Sequence, residues 1–331
     1  MMLSAPGSLL IAGEYRITDP GGRGLALAAG GRAVLNRRTA ESTVLRGIGP
    51  DGEVLWSPDQ TPDGSLPSAA WDSVHPPEGG IGWEYVVDTT AFFDESGRKF
   101  GFGSSAVAAL LFTSALAGEF DPDRITPRAV AVHRKFQGGR GSGYDVVTSA
   151  HGSAGLFTGG AIPAWDPLSW PEDIDVWLLS GPGSVRTVDA IARFEAWRSR
   201  SPGEHGALMD RFDSAVDELI LGLKGRRGAN AGDLFFSALS RAAGVGIAIG
   251  EHIGVPADPW QPAGFETDLV RGRRRSAAVK CLGAGNEMMV VCAAPDGLTR
   301  AEEQALQREC DGGRARRIRP ETRGLVREAA S

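Results

Sequence analysis

Short apolar runs set between glycines open the chain, and longer runs with helical spacing dominate its middle and its second half. Ser8-Leu9-Leu10-Ile11-Ala12, bounded by Gly7 and Gly13, reads as a buried strand. Leu25-Ala26-Leu27-Ala28 and Thr43-Val44-Leu45 read as further short strands. Residues 46–80 are rich in Pro, Gly, Asp and Ser and suit hairpin loops around Glu53-Val54-Leu55-Trp56. The spacing of Ala106, Ala109, Leu110, Thr113 and Leu116 predicts a helix over 104–116, with Ser104 or Ser105 as its cap. A second helix is expected from Thr126-Pro127 to about Phe136. The turn Gly138-Gly139-Arg140-Gly141-Ser142-Gly143 ends it, and a short helix over 144–150 follows.

Residues 160–173 have the Pro, Gly and Trp texture of an inter-domain connection. Asp175-Val176-Trp177-Leu178-Leu179 then opens the second half as a strand, with helices expected over about 187–199, 207–224 and 230–252. Strands over 277–282 and 288–292 are joined by Gly283-Ala284-Gly285-Asn286. Thr299 and Glu302 form the signature of a capping box, and 314–319 reads as a last strand. Both halves are α+β, without regular βαβ alternation. The expected division is a domain over 1–168 and a second over 169–331.

Composition narrows the setting. The chain of 331 residues carries 35 Lys and Arg against 41 Asp and Glu, a net charge of −6. That balance argues against a nucleic-acid partner, which needs a basic face, but leaves room for a small anion held by local amides. Cys281, Cys292 and Cys310 form no CxxC pair, which points to free thiols in a reducing compartment. No apolar run approaches the roughly 18 residues of a membrane span, and the start lacks a basic leader region. A cytoplasmic protein with no membrane partner, monomeric or homodimeric, is expected. Glycine is the outlier, with 46 residues, about twice the usual share of roughly 7%.

Three glycine loops draw attention: the run from Ala5 to Tyr15, Gly101-Phe102-Gly103-Ser104-Ser105-Ala106, and Gly283-Ala284-Gly285-Asn286. The second leads into a helix, whose unpaired N–H groups and positive dipole end suit phosphate. Two serine hydroxyls add donors, and either could reach a magnesium ion. The same residues equally describe a plain glycine turn with a serine cap. The loop is neither a standard P-loop, since the chain has no Gly-Lys pair, nor a full dinucleotide fingerprint. Asp145, behind Gly141-Ser142-Gly143-Tyr144, is either a proton acceptor for an alcohol or a helix-capping carboxylate. His133 reads as a buried, hydrogen-bonded helix residue with no catalytic part. The run Arg271-Gly272-Arg273-Arg274-Arg275 reads as a solvated loop or, less simply, a phosphate contact. With only Lys99, Lys135, Lys224 and Lys280 in the chain, arginine must supply most cationic contacts.

In combination these motifs resemble the GHMP kinases. Ala5-Pro6-Gly7-Ser8-Leu9-Leu10-Ile11-Ala12-Gly13-Glu14-Tyr15 is similar to their first motif, 101–106 to the second, and Cys281-Leu282-Gly283-Ala284-Gly285 to the third. Within that superfamily, the stretch from His133 to Val146 most resembles the phosphomevalonate kinases, supported by 180–187 and 250–256. The resemblance implies an N-terminal domain like ribosomal protein S5 domain 2, a ferredoxin-like C-terminal domain, and an active site between them. It implies ATP and Mg2+, with Gly101, Gly103, Ser104, Ser105 and Ala106 at the nucleotide and Ser105 at the metal. It also implies Asp145 as the catalytic residue beside the acceptor. Ser8, Glu14, Tyr15, Gln137, Ser142, Gly143, Gly283, Ala284 and Gly285 are the implied substrate contacts, and the substrate is a small molecule, 5-phosphomevalonate by the nearest likeness.

Two positions depart from the pattern. Ser8 stands where the first motif usually has Lys, and Arg140, Lys135 or Arg186 are the candidate replacements. Asn286-Glu287 stands where the third motif usually continues Gly-Asp, and Asn286 is expected to narrow the acceptor pocket. Mevalonate, a sugar or a homoserine-like alcohol remain alternative acceptors, and a catalytically degenerate nucleotide-binding homologue a further alternative.

Overall fold

In the computed structural model, which describes residues 1–74, 82–94, 97–183, 187–225 and 231–328, the first strand is longer than its apolar core. Strand β1 runs Met2–Ala12 and is buried at all but its first position. Ser4, Pro6, Gly7 and Ser8 interrupt its hydrophobic run, because a strand covered on both faces need not alternate. Strand β2 (Arg23–Ala40) is buried over its first third and turns toward solvent after Gly30. Strands β3 (Val44–Gly49) and β4 (Gly52–Trp56) make the expected hairpin.

The loop-like composition of 46–80 conceals a helix, α1 (Leu66–Val74), which starts at Leu66-Pro67 with no acidic residue in its first turn. Residues 75–80 of that stretch lie outside the described residues. Strand β5 (Gly82–Asp88) follows, then α2 (Ser104–Ala117), α3 (Pro122–Phe136), α4 (Tyr144–His151), β6 (Ala154–Thr158) and β7 (Ala164–Leu168). Strand β7 lies within the stretch expected to be a bare connection.

Contacts divide the chain into two units, one made of 1–9, 26–167 and 320–331, the other of 10–25 and 168–319. Among the described residues, the sheet of the first unit has eight strands in the order β12 (Val326–Glu328)-β1-β2-β5-β3-β4, with β6 on β2 and β7 on β6. The strand at one end, β12, comes from the far end of the sequence and pairs antiparallel with β1. Helix α2 is buried from Ala106 to Leu116 and packs against α1, α3, α4 and β5. Helix α3 begins four residues before Thr126. Asp121 caps it by accepting from the Asp123 amide at 2.9 Å, Pro122 takes the first position, and Pro127 lies inside the helix. The Asp-Pro pair wins because it supplies both the cap and a residue that needs no N–H there.

The second unit contains β8 (Asp175–Ser180), α5 (Thr187–Arg200), α6 (Pro202–Lys224), α7 (Ala231–Ile253), a single turn α8 (Thr267–Val270), β9 (Ala277–Leu282), β10 (Met288–Ala293), α9 (Arg300–Asp311) and β11 (Ala315–Ile318). Its antiparallel sheet runs β11-β8-β10-β9. Leu179, Leu269, Val279, Met289, Val291 and Leu306 join one core on that sheet. The capping box at α9 forms as expected.

Helix α7 corrects the expectation about membrane-length segments. Over 21 residues, Asp233–Ile253, its mean hydropathy is 1.3, so by length and composition it could cross a membrane. Half of that window is buried against the protein, where α7 packs on α6 and β9. Cys281, Cys292 and Cys310 are free, and burial pushes the first two thiols up to about 12.

Candidate active site

In the first unit, backbone crowding fixes the second glycine loop. Phe102 is buried, and its ring occupies the space that a Cβ on Gly30 would need, with ring atoms 2.4–2.6 Å from it. A Cβ on Gly7 would lie 2.7 Å from Phe102 Cβ. The Ser8 amide donates to the Phe102 carbonyl at 3.0 Å. First-motif and second-motif backbones are thus locked face to face, with glycines where they touch.

Helix α2 starts directly after this contact. The expected serine cap is absent: the N-cap residue is Gly103, in the left-handed region at φ 72°, and no side chain caps the helix. The left-handed turn places Ser104 and Ser105 inside the first turn, so their side chains cannot fold back as caps. The helix end keeps its positive dipole open to an anion. A Cβ on Gly103 would lie 3.2 Å from Ser8 Oγ and 3.4 Å from Asp145 Cβ. Ser8 Oγ is buried with no hydrogen-bond partner among the described residues. These features fit a phosphate group: an uncapped helix end, a space only glycine leaves open, and an orphaned donor beside it.

Asp145 sits in the first turn of α4 behind Gly143 (φ 85°), and its Oδ1 accepts from the Val146 amide at 2.9 Å. That bond to the adjacent amide is not a cap, since Gly143 is the N-cap and no side chain caps α4, and it leaves Oδ2 for other contacts. His133 was expected to play no part, yet it lies between the two reactive candidates. Its Nε2 is 3.1 Å from Ser105 Oγ and its Nδ1 3.6 Å from Asp145 Oδ1. The helical phase of α3 offered a signal, since a histidine buried alongside Ile125, Ala129 and Val132 needs polar partners.

Gln137 ends α3 and is exposed, with its Oε1 against Gly141. Arg134 staples the turn by donating to the carbonyls of Gly141, Ser142, Gly160 and Ala161 at 2.8–2.9 Å. Gly143 faces Val130 with no room for a Cβ, and Ser142 Oγ accepts from the Tyr144 amide. Among the candidate cations, Lys135 reaches Asp72 at 3.4 Å, and Arg186 lies outside the described residues, as do Ser184 and Val185.

Mg2+ prefers few protein ligands and keeps waters and phosphate oxygens. Ser105 Oγ and Asp145 suit that demand, and no cluster of three or more metal-ligating side chains occurs among the described residues.

In the second unit, Glu14, Tyr15, Gly283, Ala284 and Gly285 line one small cavity together with Lys280. Tyr15 has φ 63°, stacks on Phe194 at 4.8 Å between ring centroids and donates its hydroxyl to the Ala284 carbonyl at 2.8 Å. The buried Glu14 and Lys280 form an ion pair, and Lys280 Nζ also donates to the Cys281 carbonyl. Desolvation raises the Glu14 pKa, with Lys280 working against it. Glu14 Oε2 has no partner among the described residues. Lys280 escaped the sequence reading because its pairing partner is 266 positions away. Asn286 is not among the lining residues; its Oδ1 packs over Gly183, so it does not narrow this cavity.

The arginine run is paired: Arg273 with Asp268, Arg274 with Glu266 and Glu302, and Arg275 with Asp233. A separate concavity of about 1220 Å³ lies on the first unit, where Arg38, Arg46, Glu53 and Glu84 pair among themselves.

No protein-family model matches the chain, and no curated protein matches it. Solved structures do. A protein of Listeria innocua aligns with TM-score 0.76 at 18% identity, covering 99% of this chain and 98% of its own. Streptococcus pneumoniae phosphomevalonate kinase, in complex with phosphomevalonate and AMPPNP, aligns with TM-score 0.74 at 15% identity, covering 96% and 100%. Methanococcus jannaschii mevalonate kinase aligns with TM-score 0.67 at 13% identity, covering 97% and 98%. The chain has the GHMP kinase fold. The α+β class and the mixture of sheets and helices expected from the sequence are those of this GHMP kinase fold.

Proposed function

We propose that this chain is an ATP- and Mg2+-dependent kinase of a small acceptor, with 5-phosphomevalonate the acceptor and 5-diphosphomevalonate the product. The observation that carries the reading is the uncapped N-terminus of α2 at Gly103, flanked by the orphaned Ser8 hydroxyl and by Asp145. Phosphoryl transfer asks mainly for positioning and charge neutralisation, and this arrangement offers both.

The backbone of Gly101 and Gly103 and the first-turn amides of Ser104, Ser105 and Ala106 hold the nucleotide phosphates. Ser105 Oγ and Asp145 hold the metal, which when bound neutralises phosphate charge. An acceptor oxygen forms the new bond to the γ-phosphorus while the bond to the β,γ-bridging oxygen breaks and ADP departs. A phosphate acceptor needs little deprotonation, so Asp145 orients it more than it removes a proton. Ser8, Gln137, Ser142 and Gly143 contribute the substrate contacts of the first unit. The phosphomevalonate and AMPPNP complex of the Streptococcus pneumoniae enzyme supports the choice of acceptor and nucleotide.

The test is ADP release from Mg-ATP with phosphomevalonate, mevalonate, homoserine and galactose, using Asp145→Asn as control. Turnover on phosphomevalonate, lost in the variant, is the expected result. Turnover on another acceptor only would reassign the substrate. Nucleotide binding without turnover would favour a degenerate kinase, a reading that Ser8 motivates because a hydroxyl cannot supply a lysine's charge.

A further inference from the structure

The His133 side chain lies against both Ser105 and Asp145. It is 2% exposed, held on α3 among Ala129, Val130 and Val132, so its ring has no route to solvent. Its two nitrogens face different chemistry. A carboxylate only accepts, so Asp145 Oδ1, at 3.6 Å, favours the ring proton on Nδ1. Nε2 then carries a lone pair and accepts the Ser105 hydroxyl proton across 3.1 Å. With its hydrogen committed to the ring, Ser105 Oγ presents only lone pairs in every other direction. Ser105 lies in the first turn of α2 and Asp145 in the first turn of α4, so one ring ties the ends of two helices that the proposed reaction uses together.

We infer that His133 is a positioning residue, its Nε2 fixing Ser105 Oγ as a lone-pair donor toward a metal-bound nucleotide and its Nδ1 fixing Asp145. The inference rests on the kinase reading above. It assigns separate work to the two nitrogens, and that separation is testable. Asparagine places a polar atom near the position of Nδ1, and glutamine near that of Nε2. His133→Gln therefore keeps a partner for Ser105, His133→Asn keeps one for Asp145, and His133→Leu keeps neither.

The experiment measures ADP affinity with and without Mg2+ by calorimetry, kcat and KM for Mg-ATP, and melting temperature. Partners behind a metal ligand are typically worth about 10–100-fold. The wild type binds ADP more tightly with Mg2+ than without. His133→Leu and His133→Asn are expected to lose about tenfold of that gain, while His133→Gln keeps it within about threefold. At saturating Mg-ATP, kcat falls about tenfold or more in His133→Gln and less in His133→Asn. Equal losses in the two amide variants, tracking melting temperature, would overturn the inference in favour of a purely structural histidine. Unchanged binding and kcat in all three would overturn it as well. A wild type that binds no nucleotide at all would overturn the kinase reading, and the inference with it.

Discussion

A buried hydroxyl without a partner costs about 1–3 kcal/mol, and Ser8 Oγ has none among the described residues. If its partner is a phosphate oxygen, Ser8→Ala should raise the melting temperature of the ligand-free protein by a degree or more, on the order of 1 kcal/mol. The same variant should weaken Mg-ATP binding by about tenfold. Lower stability with unchanged binding would mean that the hydroxyl is a structural group. Asp145→Asn should reduce turnover by about 10²-fold or more, and a change below about threefold would remove Asp145 from the reaction. Lys280→Met leaves the Glu14 carboxylate buried without its cation, which should cost about 3–5 kcal/mol in urea unfolding. Adding Glu14→Gln should recover most of that loss. Asp145 could be singled out in sequence because it stands behind a glycine turn, and Ser8 and Glu14 through the resemblance of their loop to the first GHMP kinase motif. The burial of His133 was legible from its helix, but its partners Ser105 and Asp145 were not, and Lys280 was missed because Glu14 is brought near it only by folding.

At the level of elements, Gly103 decides whether the proposed phosphate cradle exists. Its left-handed φ of 72° and the 3.2 Å approach to Ser8 Oγ make Gly103→Ala cost about 1–2 kcal/mol, and the new methyl group fills the cradle. Nucleotide affinity measured by calorimetry should fall further than stability does. Helix α9 offers a pH test. Burial pushes the Glu302 pKa up, but the amides of Thr299 and Glu266 and the Arg274 guanidinium outweigh it, leaving the pKa below its ordinary 4.5. A depressed folded-state pKa gives stability that is present above about 4.5 and lost as pH falls through the lower folded value. Glu302→Gln should therefore flatten the acid limb of a stability profile taken by urea unfolding from pH 6 to pH 3. This capping box was legible because both of its partners lie within four residues. The start of α3 was misread because two Pro-led candidates, at 122 and 127, lie within one helix. Helix α1 was missed because Leu66-Pro67-Ser68 carries turn chemistry while tertiary packing buries all three residues.

At the scale of the molecule, the α+β class was legible because strands and helices come in runs of like elements without a βαβ rhythm. The long strands were not: only the apolar centres of β1 and β2 stood out, since their flanks carry Ser, Gly and Arg. Nothing local announces β12, three residues whose place beside β1 depends on the rest of the first unit. Arg32 helps hold that segment by donating to the carbonyls of Arg323 and Gly324 and to that of Ser4.

The pairing of β12 with β1 also sets an order of events during synthesis. Residues 168–319 are translated between the body of the first unit and the segment 320–328 that completes its sheet. At 5–20 residues per second, the β1 edge stays open for on the order of 10–30 s on the ribosome. An open strand edge is a template for another chain. The nascent protein is therefore most exposed to mispairing after most of its first unit has emerged and before its last strand has been made.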